Sequence, residues 1–205
     1  MEGAPFRQIW VEPAAITTTF QSDSVRAEEH FAPVRKGRFC RWRATGLVEG
    51  GDWDRRLAPY DPQTGLLYSA LQARYYGEKA WTQTAFFESV IERLKRGERP
   101  WNNCRNVAAV HRRCARADRL IDSVKASGFH EVRDAVSICI GPDGQLIKAG
   151  NGQHRIMLGL IAQKKIPVQV IVRHRHWEDI RTGHAPGHEA ISDHPDMPTR
   201  RSPQR

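Results

Sequence analysis

The segment Gly150-Asn151-Gly152-Gln153-His154-Arg155 gathers residue types that handle anions. Glycines let a backbone come close to a bound group, and the free N–H groups at a helix start point towards it. The residues after the glycines read as a helix, which puts His154 and Arg155 in its first turn. The helix dipole disfavours cations there, so two of them make sense where an anion lies between. Arg155 can clamp a phosphate through two parallel hydrogen bonds, and His154 can donate to it or exchange a proton with it. The plainer alternative is that His154 caps a neighbouring carbonyl and Arg155 pairs with a core carboxylate.

A general base for phosphoryl transfer or hydrolysis has to come from another element. Asp118 and Asp122 are the candidates, four residues apart on one helix, although surface pairing with Arg113 or Arg119 explains them as well. Asp52 and Asp54 flank Trp53 after two glycines, where a capped turn is simpler than a metal or sugar site. Five of the nine histidines crowd the C-terminal part: His174, His176, His184, His188 and His194. His174 and His176 alternate and would share one side of a strand, two metal ligands with no fixed third. Between residues 93 and 119 nine Lys/Arg stand against two acids. Within that stretch Arg112, Arg116 and Arg119 share a helix face, the footprint of a nucleic-acid contact or simply of a solvated surface.

Hydrophobic spacing supplies the elements that must hold these groups. Residues 107–124 place apolar side chains at Val107, Val110, Cys114, Ala117, Leu120, Ile121 and Val124, the helical period. Asn106 caps its start and Gly128 follows its end. Earlier helices are expected over 61–77, opened by Asp61-Pro62, and over 84–96, with Phe87, Ile91 and Leu94 on one stripe. Residues 8–11, 16–20 and 43–48 read as short strands. The stretch 135–140 and 145–149 around Gly141-Pro142-Asp143-Gly144 reads as a hairpin, followed by a helix over 153–162 and a buried strand over 166–172. Residues 182–205 read as an irregular tail.

Composition sets the class. The chain has 205 residues, 32 Lys+Arg against 23 Asp+Glu, and a formal net charge of +9. With 40% hydrophobic and 27% charged residues it has a globular balance, not a disordered one, and a length for one domain or slightly more. The longest apolar run is of strand length, far below the roughly 18–20 residues of a membrane-spanning helix. The first residues lack the basic-then-apolar order of a secretory signal. Cys40, Cys104, Cys114 and Cys139 form no CxxC pair and no regular framework, which suggests reduced thiols in a cytoplasmic protein.

Gly152-Gln153-His154-Arg155 after a hairpin, then a helix, then Lys165-Ile166-Pro167-Val168, resembles the ParB/sulfiredoxin-like superfamily. The upstream helix with Arg113, Asp118, Ile121, Asp122 and Gly128 is similar to the helix that precedes this loop in the family. The resemblance covers about a third of the chain, residues 107–173. It implies an α+β fold with a ParB/sulfiredoxin-like mixed sheet and packed helices. It also implies a nucleotide-phosphate site at Gly150, Asn151, Gly152, Gln153, His154 and Arg155, for ATP or another nucleotide, with Mg2+ as a companion. His154, Asp118 and Asp122 would then be the catalytic candidates of a small-molecule kinase or NTP hydrolase. Gln153 stands where sulfiredoxins carry their cysteine, and Asn151 where the related kinases carry aspartate. ParB proteins have Glu-Arg-Arg at 153–155 and continue into a DNA-binding domain that is not expected after residue 172. On this reading the chain runs as an extended segment 1–60, a helical region 61–106, the ParB/sulfiredoxin-like domain 107–176 and a tail 177–205. The alternative is a nucleic-acid-binding module that uses the basic face of residues 93–119.

Overall fold

The computed structural model describes residues 8–20, 46–55, 57–131, 133–150, 152–187 and 191–197. The strand expected over 43–48 is described only from residue 46, and Cys40, Asn151 and His188 lie outside the described residues. Among the described residues seven strands form one mixed sheet and helices account for most of the remaining structure, an α+β architecture. The chain divides into two compact units. The described residues of Met1–Tyr60, Glu131–Gly152 and Lys165–Arg205 form unit 1, and Asp61–His130 with Gln153–Lys164 form unit 2. The expected segments therefore interleave: residues 107–176 supply parts of both units.

Unit 1 holds the sheet. Its strands are β1 (Gln8–Val11), β2 (Thr18–Phe20), β3 (Leu47–Glu49), β4 (Leu57–Pro59), β5 (Val136–Ile140), β6 (Leu146–Lys148) and β7 (Ile166–His174). The order is β1-β7-β5-β6-β2-β4, and β3 also pairs with β7. β7 is nearly continuous in β-branched residues because it is buried on both faces. β1 takes the first half of one of its edges antiparallel, and β3 takes the second half parallel. Against β5 it carries a bulge, since Ile138 pairs with Val170 and Cys139 with Val172. On one sheet face Trp53, Cys139, Ile147, Ala149, Ile171 and Val172 cluster, with Phe20, Leu47 and Leu57 against them. The expected strand over 16–20 forms only from Thr18, because Pro13–Ala15 makes a 3-10 turn that ends at Ile16.

The β5–β6 hairpin turns at Gly141-Pro142-Asp143-Gly144, where the Gly144 N–H donates to the Gly141 carbonyl at 3.1 Å. Gly144 has φ +83°, and a Cβ there would meet the Trp177 ring at 2.6 Å. Trp177 lies on α5 (Arg175–Arg181) and is fully buried. Among the described residues of the tail, 182–187 and 191–197 form turns and bends, and residues 191–197 are anchored at this corner. Arg173 donates from Nε and Nη2 to Asp196 at 2.8 and 2.6 Å, and the Trp177 indole N–H donates to Asp196 at 3.0 Å. Arg181 makes the same two-pronged contact with Glu178, at 2.9 and 2.7 Å. Burial alone would raise the Asp196 carboxyl, but Arg173, Trp177 and Arg181 together hold it below its ordinary value. His194 packs on Trp177 with ring centroids 4.3 Å apart. Its Nδ1 accepts from the Asp196 N–H, so its Nε2–H donates to the Gly144 carbonyl at 2.9 Å. This arrangement needs a neutral ring, and burial lowers the His194 pKa accordingly.

Unit 2 is helical. Its helices are α1 (Leu66–Tyr76), α2 (Ala85–Lys95), α3 (Val107–Ser127) and α4 (Gln153–Ala162). The helix expected over 61–77 is split. Asp61 caps a 3-10 turn at Pro62–Thr64, and extended Gly65 separates that turn from α1. Thr84 and Asn106 cap α2 and α3 as their residue types predict, accepting from Phe87 N–H at 3.2 Å and Ala109 N–H at 2.9 Å. The buried stripe of α3 is Val110, Cys114, Ala117, Ile121 and Val124, and Val107 is exposed because it opens the first turn. Asp118 ties three elements together: its Oδ1 accepts from Arg74 Nε at 3.1 Å and Nη2 at 3.0 Å, and from the Trp81 indole at 2.9 Å. Among the described residues no helix is long and apolar enough to cross a membrane.

Candidate functional site

The segment singled out in the sequence runs from the end of unit 1 into the start of unit 2. Gly150 and Gly152 have φ of 133° and 130°, values that L side chains rarely adopt. A Cβ on Gly152 would meet Val136 Cγ1 at 2.6 Å, so the backbone lies directly on that side chain. Gln153 then opens α4, whose buried residues Ile156, Met157, Leu158, Gly159 and Ile161 fix its orientation in unit 2. His154 and Arg155 occupy its first turn, half-buried, as expected.

Within unit 2, His154 faces Trp101, with ring centroids 6.1 Å apart. Burial pushes the His154 pKa down to about 4, with further lowering from Arg113 and Arg155. At neutral pH the imidazole is therefore uncharged and weakly basic, with two guanidinium groups disfavouring its protonation. Arg113 comes from α3 and lies over the Trp101 ring at 5.7 Å. With the Asn102 amide oxygen turned towards it, Arg113 donates from Nη1 at 3.3 Å and from Nη2 at 2.6 Å. An anion placed among these groups would offset the repulsion between the cations and raise the proton affinity of His154.

Sequence reasoning did not find Trp101 or Asn102. They sit in a short turn, Pro100–Asn103, in which Trp101, Asn102 and Asn103 have φ of 44°, 58° and 67°. Three successive non-glycine residues in the left-handed region cost roughly 1–2 kcal/mol each, least for asparagine. Strain of this kind persists where the surroundings over-determine it, and it concentrates at ligand clamps and active sites. The surroundings here are aromatic: Trp101 packs edge-on against Phe86 at 5.0 Å and against Trp81 at 5.9 Å. The Trp101 indole nitrogen is buried without a hydrogen-bond partner among the described residues. The only sequence signal was the pair of asparagines, residues that tolerate this conformation.

The remaining candidates fall into place separately. Asp118 is committed to Arg74 and Trp81, whereas Asp122 is exposed. Arg112, Arg116 and Arg119 are exposed on α3, away from its buried stripe. Asp52 pairs with Arg55 at 2.8 Å on the surface, and Trp53 belongs to the sheet core. His174 and His176 do not share a strand face, because β7 ends at His174 and α5 begins at the next residue. His174 instead caps that helix, its Nδ1 accepting from the His176 N–H at 3.1 Å, and its Nε2 bonds the Gly51 carbonyl at 3.1 Å. Among the described residues no group of three or more His, Cys, Asp or Glu is placed to hold a metal ion. No protein-family model, curated protein or solved structure matches this chain.

Proposed function

We propose that this protein binds the phosphate groups of a nucleotide, with ATP as the reference ligand, through residues 150–155, and that its fold is ParB/sulfiredoxin-like. One observation carries the reading: a desolvated, neutral His154 in the first turn of a helix, with Arg113 and Arg155 both acting on it. A phosphate placed beside Arg113 and His154 would meet guanidinium donors whose geometry suits it. The order of elements supports the fold assignment, since the β5–β6 hairpin is followed by α4 and then by β7, which lies parallel to β5. His154 would serve as the proton acceptor in phosphoryl transfer or hydrolysis. Residues 150–155 contain no carboxylate, so they offer phosphate donors but no firm ligand for Mg2+.

The test is calorimetric titration of ATP and CTP, with Mg2+, into the wild type and Arg155→Ala. Binding by the wild type, weakened roughly 10- to 100-fold in the variant, is the expected result. A folded wild type that binds neither nucleotide overturns the reading. The exposed line of Arg112, Arg116 and Arg119 favours a second one, a nucleic-acid contact on α3. It would appear as binding of DNA or RNA that falls steeply with salt and loses slope when these arginines are replaced.

A further inference from the structure

Lys148 and Tyr60 meet on one face of the sheet, wholly inside unit 1. β6 places Lys148 opposite Ile138 on β5 and beside Thr19 on β2, and β4 places Ala58 opposite Thr19. Paired residues share a face and alternate residues return to it. Lys148, Ile138, Val136 and Thr19 therefore lie on the same side, with Ala58 and, two residues further, Tyr60. The Tyr60 backbone is fixed there by its N–H, which donates to the Thr17 carbonyl at 2.7 Å. The Lys148 ammonium stands 5.4 Å from the centroid of the Tyr60 ring.

Neither polar group has a hydrogen-bond partner among the described residues. The Tyr60 hydroxyl is buried with no hydrogen-bond partner among the described residues. Lys148 is half-buried, its cross-strand neighbour Ile138 is fully buried, and no described carboxylate pairs with it. Burial lowers the Lys148 pKa and pushes the Tyr60 pKa up to about 12. The same unit treats its other buried cations differently, since Arg173 has Asp196 and Arg181 has Glu178. Among the described residues Lys148 is thus not one half of an ion pair. Its face also carries the glycine segment, for Gly152 rests on Val136.

We propose that Lys148 and Tyr60 form an oxyanion site, the ammonium and the hydroxyl donating together to one anionic oxygen of a phosphate or carboxylate group. An ammonium is a point charge with three rotatable donors and a phenol is a single donor, so the pair accepts an oxygen without demanding planar geometry. The ring face below the ammonium holds the cation in place while the site is empty. This site goes beyond the nucleotide reading, because none of residues 153–155 enters it.

Carbon-13 NMR of the lysine side chains tests it in the full chain, with Lys148 assigned from the signal lost in Lys148→Arg. Inorganic phosphate and acetate are titrated separately. The expected result is a saturable shift of the Lys148 Cε resonance with phosphate, and an affinity roughly tenfold weaker in Tyr60→Phe. A shift with phosphate alone makes the site one for tetrahedral oxyanions, a shift with acetate alone one for carboxylates, and a shift with both one for either. No saturable shift with either anion, or equal affinity in Tyr60→Phe, overturns the proposal. Loss of nucleotide binding in Arg155→Ala is read separately, so either idea can fail while the other stands.

Discussion

At the corner of unit 1, Arg173 and Arg181 face Asp196 and Glu178, two cations and two anions with their closest contacts at 2.6 and 2.7 Å. At the start of α4 in unit 2, Arg113 acts on His154 and is met by an amide oxygen and an indole face, with no described carboxylate paired to it. Both regions take charge out of water. The first neutralises itself, so its ions specify how the tail lies on the sheet. The second holds its histidine neutral beside Arg113. Burial of charge without a built-in counter-ion is the mark of a group that meets its partner from outside.

The sharpest way to break this contrast is to remove one anion from the corner. Asp196→Asn leaves the buried Arg173 with only the longer contact to Glu178 at 3.9 Å and should destabilise the protein by about 3 kcal/mol, read from urea unfolding. A loss below about 1 kcal/mol would mean that the corner is not an ionic lock. Acid probes the other region. The folded pKa of His154 is about 4 against an ordinary 6.5, so between those values the unfolded chain binds a proton that the folded one does not. Stability from this group is complete above pH 6.5 and drains away as pH falls towards 4, by about 3 kcal/mol at about 1.4 kcal/mol per unit. Urea unfolding at stepped pH, with NMR titration of the His154 ring, measures it; a ring that titrates at or above 6.5 removes the case for an anion-hungry site. Because Asp196 and His194 also have lowered values, the corner loses stability in the same direction, at more acid pH for Asp196.

Two substitutions refine the comparison further. Gly144→Ala drives a methyl group into Trp177 at a backbone φ of +83°, and should cost about 1–3 kcal/mol, seen as a lower thermal midpoint with altered His194 signals. Arg113→Met should change stability by less than about 1 kcal/mol while raising the His154 titration midpoint, because a cation that disfavours the imidazolium is gone. An unchanged midpoint would show that burial alone sets the state of the ring.

The helices and the hairpin were legible because their signals are periodic and local. The stripe on α3, the Thr84 and Asn106 caps and the Gly141–Gly144 turn each follow from a few neighbouring residues. The first turn of α4 was legible for the same reason, with His154 and Arg155 set by the glycines before them. The corner was not. Asp196 lies in a segment without apolar periodicity, and it is ordered by Arg173 and Trp177, some twenty residues away. Asp118 read as a candidate base or a surface partner of Arg113 or Arg119, whereas its donors come from α1 and the Trp81 turn. Trp101 was hidden because its left-handed backbone contradicts its type, so it is imposed by packing and not by propensity. Lys148 carries no local signal, and only the pairing of β2, β4 and β6 brings Tyr60 to it.

The interleaving of the two units has a consequence for how the protein is made. The partner of β1 is β7, since Gln8 pairs with Gln169, so the first strand emerges from the ribosome roughly 160 residues before its neighbour exists. At about 5–20 residues per second that delay is on the order of ten seconds or more. Unit 2 faces the same wait, because α4 is synthesised only after β5 and β6. A nascent chain therefore carries an uncovered helix stripe until α4 is out and unpaired strand edges until β7 is out. Successful production should depend on slow translation being matched by chaperone shielding. Fragments ending before residue 153 should aggregate, since unit 1 then lacks β7 and unit 2 lacks α4.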